Sequence, residues 1–400
     1  MSDEVVGALD GIRVLDAGLL VQGPQCAMCL AEMGADVIKV ELPGFGDQSR
    51  WIPLSPEDMR FPYYEGCNRG KRSVTIDMRQ PAGKAVMRRL VESADVLITN
   101  FKSGTMDEWG LGYDELRAVN PRLIYATGST FGTEGPGAGR EGADLAGQAA
   151  GGLISTTGVA GGDPTPVGVT IADHIASQNM TNGILAALFA RERTGRGQRV
   201  DVSLLGGQIY AQASEYTSYL LGGKVPGRAE FGHPLLSMAY GIVPTADGWL
   251  AIVGLPIPVR PAFYELIGRP ELVEDERFTP LLYSPEAKRA LFAIFRDVFP
   301  TRTTAEWCEQ LEAIGCRYAP VNDYAAAAAD PTTLANGYIT EVVGADGAPK
   351  QVVGSPIRLS DTPTTPGADA PALGEHTAEV LAELGYSDGE IAELAISETI

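Results

Sequence analysis

The stretch that decides the fold is GIRVLDAGLLVQGPQCAMCLAEMGADVIKVE, residues 11–41. Residues 11–18 are an apolar run that ends in a glycine turn, which is typical of a buried strand. Pro24 suits the first turn of a helix, so a helix is predicted over residues 24–33. Residues 35–41 are a second apolar run with strand character. A strand, a helix and a strand in quick succession indicate a βαβ unit of a parallel sheet.

The same alternation continues downstream. Strands are predicted over residues 72–78, 94–101 and 121–129, with helices over residues 81–93 and 113–120 between them. This order predicts an α/β fold whose large domain is a doubly wound, Rossmann-like and mostly parallel sheet.

The pattern of predicted strands and helices changes near residue 224. Residues 240–255 contain two strand patterns around the turn pair Asp247-Gly248, which is a strong hairpin signal. Helical patterns then dominate as far as residue 329. We therefore predict a smaller α+β domain over residues 225–330.

The composition is that of an acidic globular protein, with 400 residues, 44% of them hydrophobic, and a formal net charge of −20. That charge repels phosphates, so nucleic acid is excluded as a partner, and a small anionic ligand requires a local basic cluster. No run reaches the roughly 18 apolar residues of a membrane span, and the first residues lack the pattern of a secretory signal. Five cysteines fit reduced thiols better than a disulfide framework. We predict a cytoplasmic protein with no membrane partner.

Two short motifs resemble known redox or cofactor sites. Cys26 and Cys29 form a C-x-x-C at a predicted helix start, where a helix N-terminus lowers a thiol pKa. A zinc site would need two more ligands, and no second C-x-x-C or His pair exists, so no metal is expected. Residues 137–142 (GAGREG) match G-x-G-x-x-G, but Pro136 and the distance from the preceding strand disfavour a dinucleotide site. We expect two helix residues and a loop near a ligand, with a dithiol oxidoreductase as a distant alternative.

Residues 68–73 (NRGKRS) are the densest basic cluster in this acidic chain. Lys and Arg are natural partners of phosphate oxygens, although a solvated turn before a strand explains the cluster as well. Residues 100–102 (NFK) follow another predicted strand, and ligands of open α/β sheets bind beyond the carboxyl ends of the strands. Together the two segments favour a ligand that bears a nucleotide.

Asp173 stands where the apolar residues 167–171 give way to a helix rich in small residues. An aspartate at this point caps a helix without any further function, or it is the group that reacts. The neighbouring His174 is as suited to capping or packing as to catalysis. A Ser-His-Asp triad is not supported, because the sequence has no G-x-S-x-G elbow.

Blocks with a fixed order and spacing are spread along the chain. They are residues 9–18, 23–41, 68–78, 94–101, 111–132, 143–158, 184–205 and 374–391. These blocks resemble the family III CoA-transferases, the group of formyl-CoA:oxalate and carnitine-type CoA-transferases, with the α-methylacyl-CoA racemases as relatives. The resemblance covers essentially the whole chain. It implies a large domain built from both chain ends, residues 1–224 and 331–400, a small domain from the middle, and two subunits threaded through each other as an interlocked homodimer.

The resemblance also implies a mechanism and a set of site residues. Asp173 takes the place of the family's catalytic aspartate, which exchanges CoA between an acyl-CoA and a carboxylic acid through a mixed anhydride and an aspartyl-CoA thioester. No permanently bound cofactor is implied, because CoA is a substrate. The residues implied to contact CoA are Val21, Gln22, Ile76, Asp77, Met78, Arg79, Asn100, Phe101, Lys102, Gly142, Ala143 and Asp144, with Lys71 and Arg72 as candidates for its phosphates.

Several positions depart from the family pattern. Two family arginines fall on Leu42 and Glu108, so phosphate binding is expected to be rebuilt through Lys102, Arg69 or Arg72. Ala143 replaces the histidine with which the racemases move a proton, which argues for a transferase over a racemase. The tetraglycine loop of the formyl transferases is missing from the small domain, which disfavours formyl groups and oxalate. An acyl-CoA racemase or epimerase and a non-catalytic acyl-CoA-binding protein remain the alternatives.

Overall fold

A parallel sheet of six strands organises the first part of the chain in the computed structural model, which describes residues 7–400. Its strands are β1 (Arg13–Asp16), β2 (Asp36–Glu41), β3 (Arg72–Thr75), β4 (Val96–Thr99), β5 (Ile124–Ser129) and β6 (Arg199–Ser203). They lie in the order β3-β2-β1-β4-β5-β6, and every neighbouring pair is parallel. The doubly wound, Rossmann-like sheet predicted from the sequence is therefore confirmed.

The strand order fixes where a ligand of this sheet binds. The chain winds outward from β1 to β3, returns to β4 beside β1, and then winds outward to β6. Loops that leave β1 and β4 therefore run in opposite directions and open a crevice at the carboxyl edge of the sheet. The sheet itself is buried because helices cover both faces, which explains continuous apolar runs such as residues 96–98 of β4.

The helices have the following bounds. They are α1 (Gln22–Glu32), α2 (Pro62–Asn68), α3 (Pro81–Glu92), α4 (Thr105–Glu108), α5 (Tyr113–Val119), α6 (Asp144–Ala150), α7 (Leu153–Thr156), α8 (Ile171–Thr194), α9 (Leu204–Ala211), α10 (Ala213–Gly222), α11 (Arg260–Leu266), α12 (Pro285–Val298), α13 (Thr304–Ala313), α14 (Tyr324–Ala329), α15 (Pro331–Ala335), α16 (Thr377–Glu383) and α17 (Asp388–Ile396). Short 3₁₀ helices span Gln48–Trp51, Ile257–Val259, Pro270–Val273 and Phe299–Thr301.

Two apolar layers hold the helices on the sheet. On one face α1 and α8 pack through residues such as Leu30 and Ile184 against Val14 and Ile98. On the other face α3, α5 and α16 bury side chains such as Leu90 and Val380 against Leu15 and Leu97 of the sheet. Helix α16, near the C-terminus, is therefore part of the same hydrophobic core as β1, the first strand.

The remaining strands are β7 (Tyr240–Pro244), β8 (Trp249–Val253), β9 (Tyr318–Pro320), β10 (Ile339–Val343) and β11 (Pro349–Val353). The predicted hairpin over residues 240–255 is confirmed, because β7 and β8 pair antiparallel and β9 adds a third strand. An aromatic core that includes Phe263, Phe292, Phe295 and Trp307 stabilises this small sheet. Strands β10 and β11 form a separate antiparallel pair.

The chain separates into two compact units. The first contains the residues up to Gly151, Val167–Ala211 and Pro331–Ile400, and the second contains Gly152–Pro166 and Gln212–Asp330. The domain division drawn from the sequence stays a prediction; the units differ from it in placing residues 152–166 and 212–224 with the second unit. In residues 7–400 no helix is long and apolar enough to cross a membrane.

Candidate active site

Asp173 lies in the first turn of α8, at the carboxyl edge of the parallel sheet. Helix α8 leads into β6, so its C-terminus is at the amino edge of the sheet and its N-terminus is at the opposite edge. The Nδ1 atom of His174 is 2.6 Å from Oε1 of Gln25 in α1, a helix that begins just after β1 ends. The sequence candidate for catalysis is therefore placed where ligands of doubly wound sheets bind.

Helix α8 is capped by Asp144, not by Asp173. Thr170, the N-cap residue, makes no side-chain capping bond. Instead Oδ1 of Asp144, the first residue of α6, accepts hydrogen bonds from the backbone N–H groups of Ala172 (2.7 Å) and Asp173 (3.4 Å). The Nε2 atom of Gln148 donates to the other Asp144 oxygen at 2.6 Å. The capping function that the sequence allowed for Asp173 thus belongs to Asp144.

The carboxylate of Asp173 has no hydrogen-bond or ion-pair partner among residues 7–400, although the residue is half-buried. Burial, followed by the negative charge of Asp144, raises the pKa of the Asp173 carboxyl to about 7. The dipole of helix α8 acts in the opposite direction, since the N-terminal end of a helix favours a negative charge. An ionisable group without a partner, with its pKa close to neutrality, is typical of a reactive carboxylate.

His174 joins two helices. Because Gln25 Oε1 can only accept a hydrogen bond, the Nδ1 of His174 carries the proton in this contact and Nε2 is left as an acceptor. Burial lowers the pKa of His174, so the ring is neutral near pH 7. The packing function considered for His174 is what this contact provides.

A cleft of about 350 Å³ opens at the carboxyl ends of β1 to β4. Five predicted CoA-contacting residues line it together: Ile76, Asp77, Met78, Arg79 and Phe101. Its other lining residues include Leu19, Leu42, Phe45 and Trp109, all of which follow strands of the sheet. Thr75 is the last residue of β3, so residues 76–79 leave the sheet and form a wall of the cleft.

Two contacts fix the side chains around this cleft. The guanidinium of Arg79 donates to both oxygens of Asp77 at 2.8 and 2.9 Å, and these bonds lower the Asp77 pKa to about 2. The ring of Phe101 packs edge-on against Trp109, with the ring centroids 5.3 Å apart. The cleft is therefore mainly apolar with one oriented cation at its rim, which suits a heteroaromatic ligand that carries phosphates.

Asn100 shapes the loop between β1 and α1. Its Oδ1 accepts a hydrogen bond from the N–H of Leu19 at 2.7 Å, and its Nδ2 donates to the Leu19 carbonyl at 2.8 Å. The next residue, Leu20, has a φ of 63°, a left-handed conformation that is rare for a leucine. Val21 and Gln22, which follow, are buried. The amide of Asn100 is thus used by this loop, and its contact with CoA stays a prediction.

Gln22 is buried against the sheet at the start of α1. A Cβ at Gly128 of β5 would lie 2.3 Å from the Gln22 Oε1 atom, so only glycine allows this approach. The Nε2 atom of Gln22 is buried without a hydrogen-bond partner in residues 7–400. Such an unsatisfied donor is costly in a folded protein and is a common sign of a functional position.

The basic cluster at residues 68–73 is structural, which corrects its assignment to phosphate binding. The ammonium of Lys71 is fully buried and donates to Asp16, to the Pro24 carbonyl and to Asn68, at 2.7 to 2.8 Å. With three donors used, Lys71 has none left for a phosphate.

The two arginines of this cluster are also occupied. Arg72 is the first residue of β3, so it lies at the amino edge of the sheet, where it pairs with Asp36 and with Glu379 and Glu383 of α16. Arg69 is buried against Glu32 at 3.1 Å. Of the three residues expected to replace the missing family arginines, Lys102 is the exposed one; its Nζ lies 3.9 Å from Glu141. Gly142 and Ala143 are in the exposed loop before α6.

Other motifs acquire simple explanations. Burial raises the pKa of both Cys26 and Cys29, the latter to about 12, which is the opposite of what a redox thiol requires. Among residues 7–400 no group of three or more His, Cys, Asp and Glu side chains is arranged to hold a metal ion. Sequence reasoning missed Phe45 and Trp109 in the cleft, although aromatic residues just after strand ends were the available signal.

Comparisons with known proteins agree with this geometry. The sequence model of CoA-transferase family III matches residues 9–377. The chain is 37% identical over 388 residues to a succinate–glutarate CoA-transferase of Agrobacterium fabrum, covering 94% of this chain and 95% of that protein. It is 35% identical to a succinyl-CoA–D-citramalate CoA-transferase of Chloroflexus aurantiacus, covering 98% of each chain. A crystal structure of a CAIB/BAIF family protein from Brucella suis superposes with a TM-score of 0.84 at 35% identity, covering 95% of this chain and 100% of that one. Because the family model matches most of its length and its relatives share 35–37% identity over nearly the whole chain, this chain belongs to the family III CoA-transferases.

Proposed function

We propose that this protein transfers CoA from an acyl-CoA to a carboxylic acid, with Asp173 as the covalent nucleophile. The observation that carries this proposal is the half-buried carboxylate of Asp173 at the start of α8, which has no partner among residues 7–400 while Asp144 caps the helix. A carboxylate is a weak nucleophile, but a thioester carbonyl is an activated electrophile. Covalent catalysis divides the difficult acyl exchange into easier steps.

The proposed steps balance without any co-reactant. An oxygen of Asp173 attacks the thioester carbonyl, the carbon–sulfur bond breaks, and CoA thiolate leaves behind a mixed anhydride. The thiolate then attacks Cγ of Asp173, which releases the donor acid as a carboxylate and forms an aspartyl-CoA thioester. Attack by the acceptor carboxylate at Cγ expels the thiolate again. The thiolate finally attacks the acceptor carbonyl, and Asp173 is regenerated.

The cleft beside Phe101 is proposed to hold the adenosine end of CoA. Its apolar walls suit a flat ring, and Arg79 and Lys102 are the cations at the same edge of the sheet that phosphates could reach. Ile76, Asp77 and Met78 would form the wall. Val21 and Gln22 are proposed to border the thioester end, on the side of α1 where Gln25 contacts His174.

The acid partners are proposed to be dicarboxylic acids or their CoA thioesters. Several relatives carry such substrates in their names: succinate and glutarate in one, citramalate in another, and mesaconate in a third. A racemase is disfavoured, because the side chain of Ala143, where the racemases carry a histidine, cannot transfer a proton. The cytoplasmic location and the homodimer stay predictions.

Trapping with hydroxylamine tests the covalent intermediate. Incubation with succinyl-CoA and hydroxylamine is expected to convert Asp173 into a hydroxamate, detected by mass spectrometry of its peptide. Asp173→Ala and Asp173→Asn are expected to exchange no CoA. Asp114→Asn removes an exposed carboxylate from the first turn of another helix, α5, and should retain wild-type exchange. Exchange at the wild-type rate by Asp173→Ala would refute the proposal.

A further inference from the structure

The side chain of Gln148, in helix α6, is buried with only 1% of its surface exposed, and it links α6 to the residues that precede α8. Its Nε2 atom donates to Oδ2 of Asp144 at 2.6 Å and to the carbonyl of Val169 at 3.3 Å. Its Oε1 atom accepts a hydrogen bond from the N–H of Val167 at 2.9 Å. Both amide hydrogens and one acceptor site of Gln148 are therefore used by residues that lead to α8 or cap it.

The orientation of this amide follows from its neighbours. The N–H of Val167 can only donate a hydrogen bond, so it requires the amide oxygen. The ionised carboxylate of Asp144 and the carbonyl of Val169 can only accept, so they require the amide nitrogen. Rotation of the amide by half a turn would therefore place donor against donor and acceptor against acceptor. Gln148 fits this position in one orientation and holds Oδ2 of Asp144 in one place.

The other oxygen of Asp144 is the one that caps α8. Oδ1 accepts from the N–H groups of Ala172 at 2.7 Å and Asp173 at 3.4 Å. One carboxylate thus meets Gln148 through one oxygen and the first turn of α8 through the other. A rotation of the Asp144 side chain would break both sets of bonds, so Gln148 acts on the backbone of Asp173 through Asp144.

Helix α6 lies close to α8 at the residue before Gln148. A Cβ on Gly147 would lie 3.0 Å from Cβ of Ala172 and 2.7 Å from Cβ of Leu204 in α9, so a larger residue would push α6 away. Ala172 and Leu204 are both buried there, together with Ala176. This close packing brings the short side chain of Asp144 within reach of the first turn of α8.

We propose that Gln148 is a positioning residue of the CoA exchange, because it holds Asp144 in the orientation that caps α8 and thereby fixes the backbone that carries Asp173. The inference rests on the proposed function, in which the carboxylate of Asp173 attacks a thioester. Displacement of a reacting group by about 1 Å costs on the order of 100-fold in rate. Gln148 has this effect without touching the substrate.

An exchange of donor and acceptor tests the pair. Gln148→Glu keeps the size of the side chain and the acceptor for Val167, but it places a carboxylate oxygen against Oδ2 of Asp144. Asp144→Asn places a second donor against Nε2 of Gln148. Each single variant should lower kcat about tenfold or more, with the KM for acyl-CoA within about twofold of the wild type. In the double variant the new amide donates to the new carboxylate and its oxygen still caps α8, so most of the lost kcat should return.

Asn120 provides the matched control, because its amide also joins backbone groups through three hydrogen bonds. It donates to the carbonyls of Val91 and Ala94 and accepts from the N–H of Arg122, at the amino edge of the sheet. Asn120→Asp makes the same change, from amide to carboxylate, as Gln148→Glu. It should lower stability in denaturant unfolding by a comparable amount, keep the wild-type kcat and gain nothing from Asp144→Asn.

Hydrogen exchange separates this inference from the proposed function. The amides of Ala172 and Asp173 should exchange faster in Gln148→Glu and slow again in the double variant. That pattern would support the positioning even if the wild type exchanged no CoA, a result that would contradict the proposed function.

Wild-type kcat in Gln148→Glu, a double variant no faster than the slower single variant, or an equal loss of kcat in Asn120→Asp would each overturn the inference. Should Gln148→Glu fail to fold, the double variant decides: a kcat within about threefold of the wild type supports the inference, and a loss of about tenfold overturns it.

Discussion

At the scale of single residues, two carboxylates at the starts of α6 and α8 have different tasks. Asp144 accepts hydrogen bonds from two backbone N–H groups and from Gln148, so its charge is held in place. The carboxylate of Asp173 accepts none from residues 7–400 and lies near that charge. Burial keeps Asp173, the proposed nucleophile, less solvated than an ordinary aspartate, which would make its carboxylate more ready to attack a thioester. We therefore infer that Asp144 positions Asp173.

The pKa of Asp173 predicts the pH dependence of the reaction. Only the ionised carboxylate attacks, so kcat/KM should fall as pH decreases through about 7, the value to which burial and Asp144 raise this pKa. Asp144→Asn removes the negative neighbour while keeping a capping oxygen, so the midpoint should move to lower pH by roughly half a unit. Initial rates of CoA exchange between pH 5 and 9 measure both profiles.

The variant Asp114→Asn serves as the control for charge removal, because Asp114 is an exposed residue in the first turn of α5. Its profile should coincide with that of the wild type. A wild-type midpoint near pH 4, or an unchanged midpoint in Asp144→Asn, would contradict the proposed influence of Asp144 on Asp173.

How well the sequence predicts the function of a single residue depends on how far along the chain its contact partners lie. The residues on both sides of Asp173 predict that it lies at the start of a helix, whereas its choice as the reactive group comes from the family resemblance and stays a proposal. Lys71, Arg69 and Arg72 could not be interpreted correctly, because their partners Asp16, Glu32 and Asp36 precede them by about 36 to 55 residues and meet them only in the folded sheet. A basic cluster in sequence is therefore not evidence of a basic surface.

At the scale of elements, the loop between β1 and α1 is held by contacts with several other segments. Asn100, the residue after β4, bonds to the backbone of Leu19, and Asp47 accepts a hydrogen bond from the N–H of Leu20 at 3.0 Å. The buried ammonium of Lys39 donates to Asp47 and to the Gly18 carbonyl. These contacts compensate the cost of the left-handed Leu20, which is about 1–3 kcal/mol for a strained backbone position.

Replacement of Asn100 tests whether this loop controls binding. Asn100→Ala should destabilise the protein by about 1–3 kcal/mol and should also raise the KM for acyl-CoA several-fold, because the loop borders the cleft. Asn120→Ala is the matched control: its Nδ2 donates to the carbonyls of Val91 and Ala94, away from the carboxyl edge.

The control should lose comparable stability in denaturant unfolding, yet keep the wild-type KM. If both variants change the KM by the same factor, the loop has no special function in binding. If Asn100→Ala leaves the KM unchanged, its hydrogen bonds to Leu19 are purely structural.

Periodicity predicts which elements exist better than where they end. The strand expected over residues 72–78 stops at Thr75, because residues 76–78 leave the ladder to line the cleft. Helix α9 likewise ends at Ala211 and α10 begins at Ala213, on either side of Gln212. Such ends are set by contacts with other segments, which apolar spacing does not contain.

At the scale of the whole molecule, the path of the chain is the feature that matters for assembly. The chain leaves the first unit after Ala211 and returns to it at Pro331, so the described residues before Gly151 and those after Pro331 belong to the same unit. Large apolar side chains of α10, Leu220 and Leu221, are 75% and 85% exposed in the single chain. Exposed apolar surface of this kind marks sites of association. Both observations are consistent with the interlocked homodimer that the family resemblance implies.

An interlocked dimer should differ from an ordinary dimer in whether its subunits exchange. The protein should elute with about twice the 42.3 kDa mass of one chain, and dilution to nanomolar concentration should not change this mass. When two homodimers with different affinity tags are mixed under native conditions, no hybrid dimer should form, because linked rings separate only when a chain unfolds. Hybrids should appear after denaturation and refolding of the mixture, which is the internal control for tag compatibility. Rapid formation of hybrids without denaturant would show that the subunits associate through surfaces alone, and a single-chain mass would exclude the homodimer altogether.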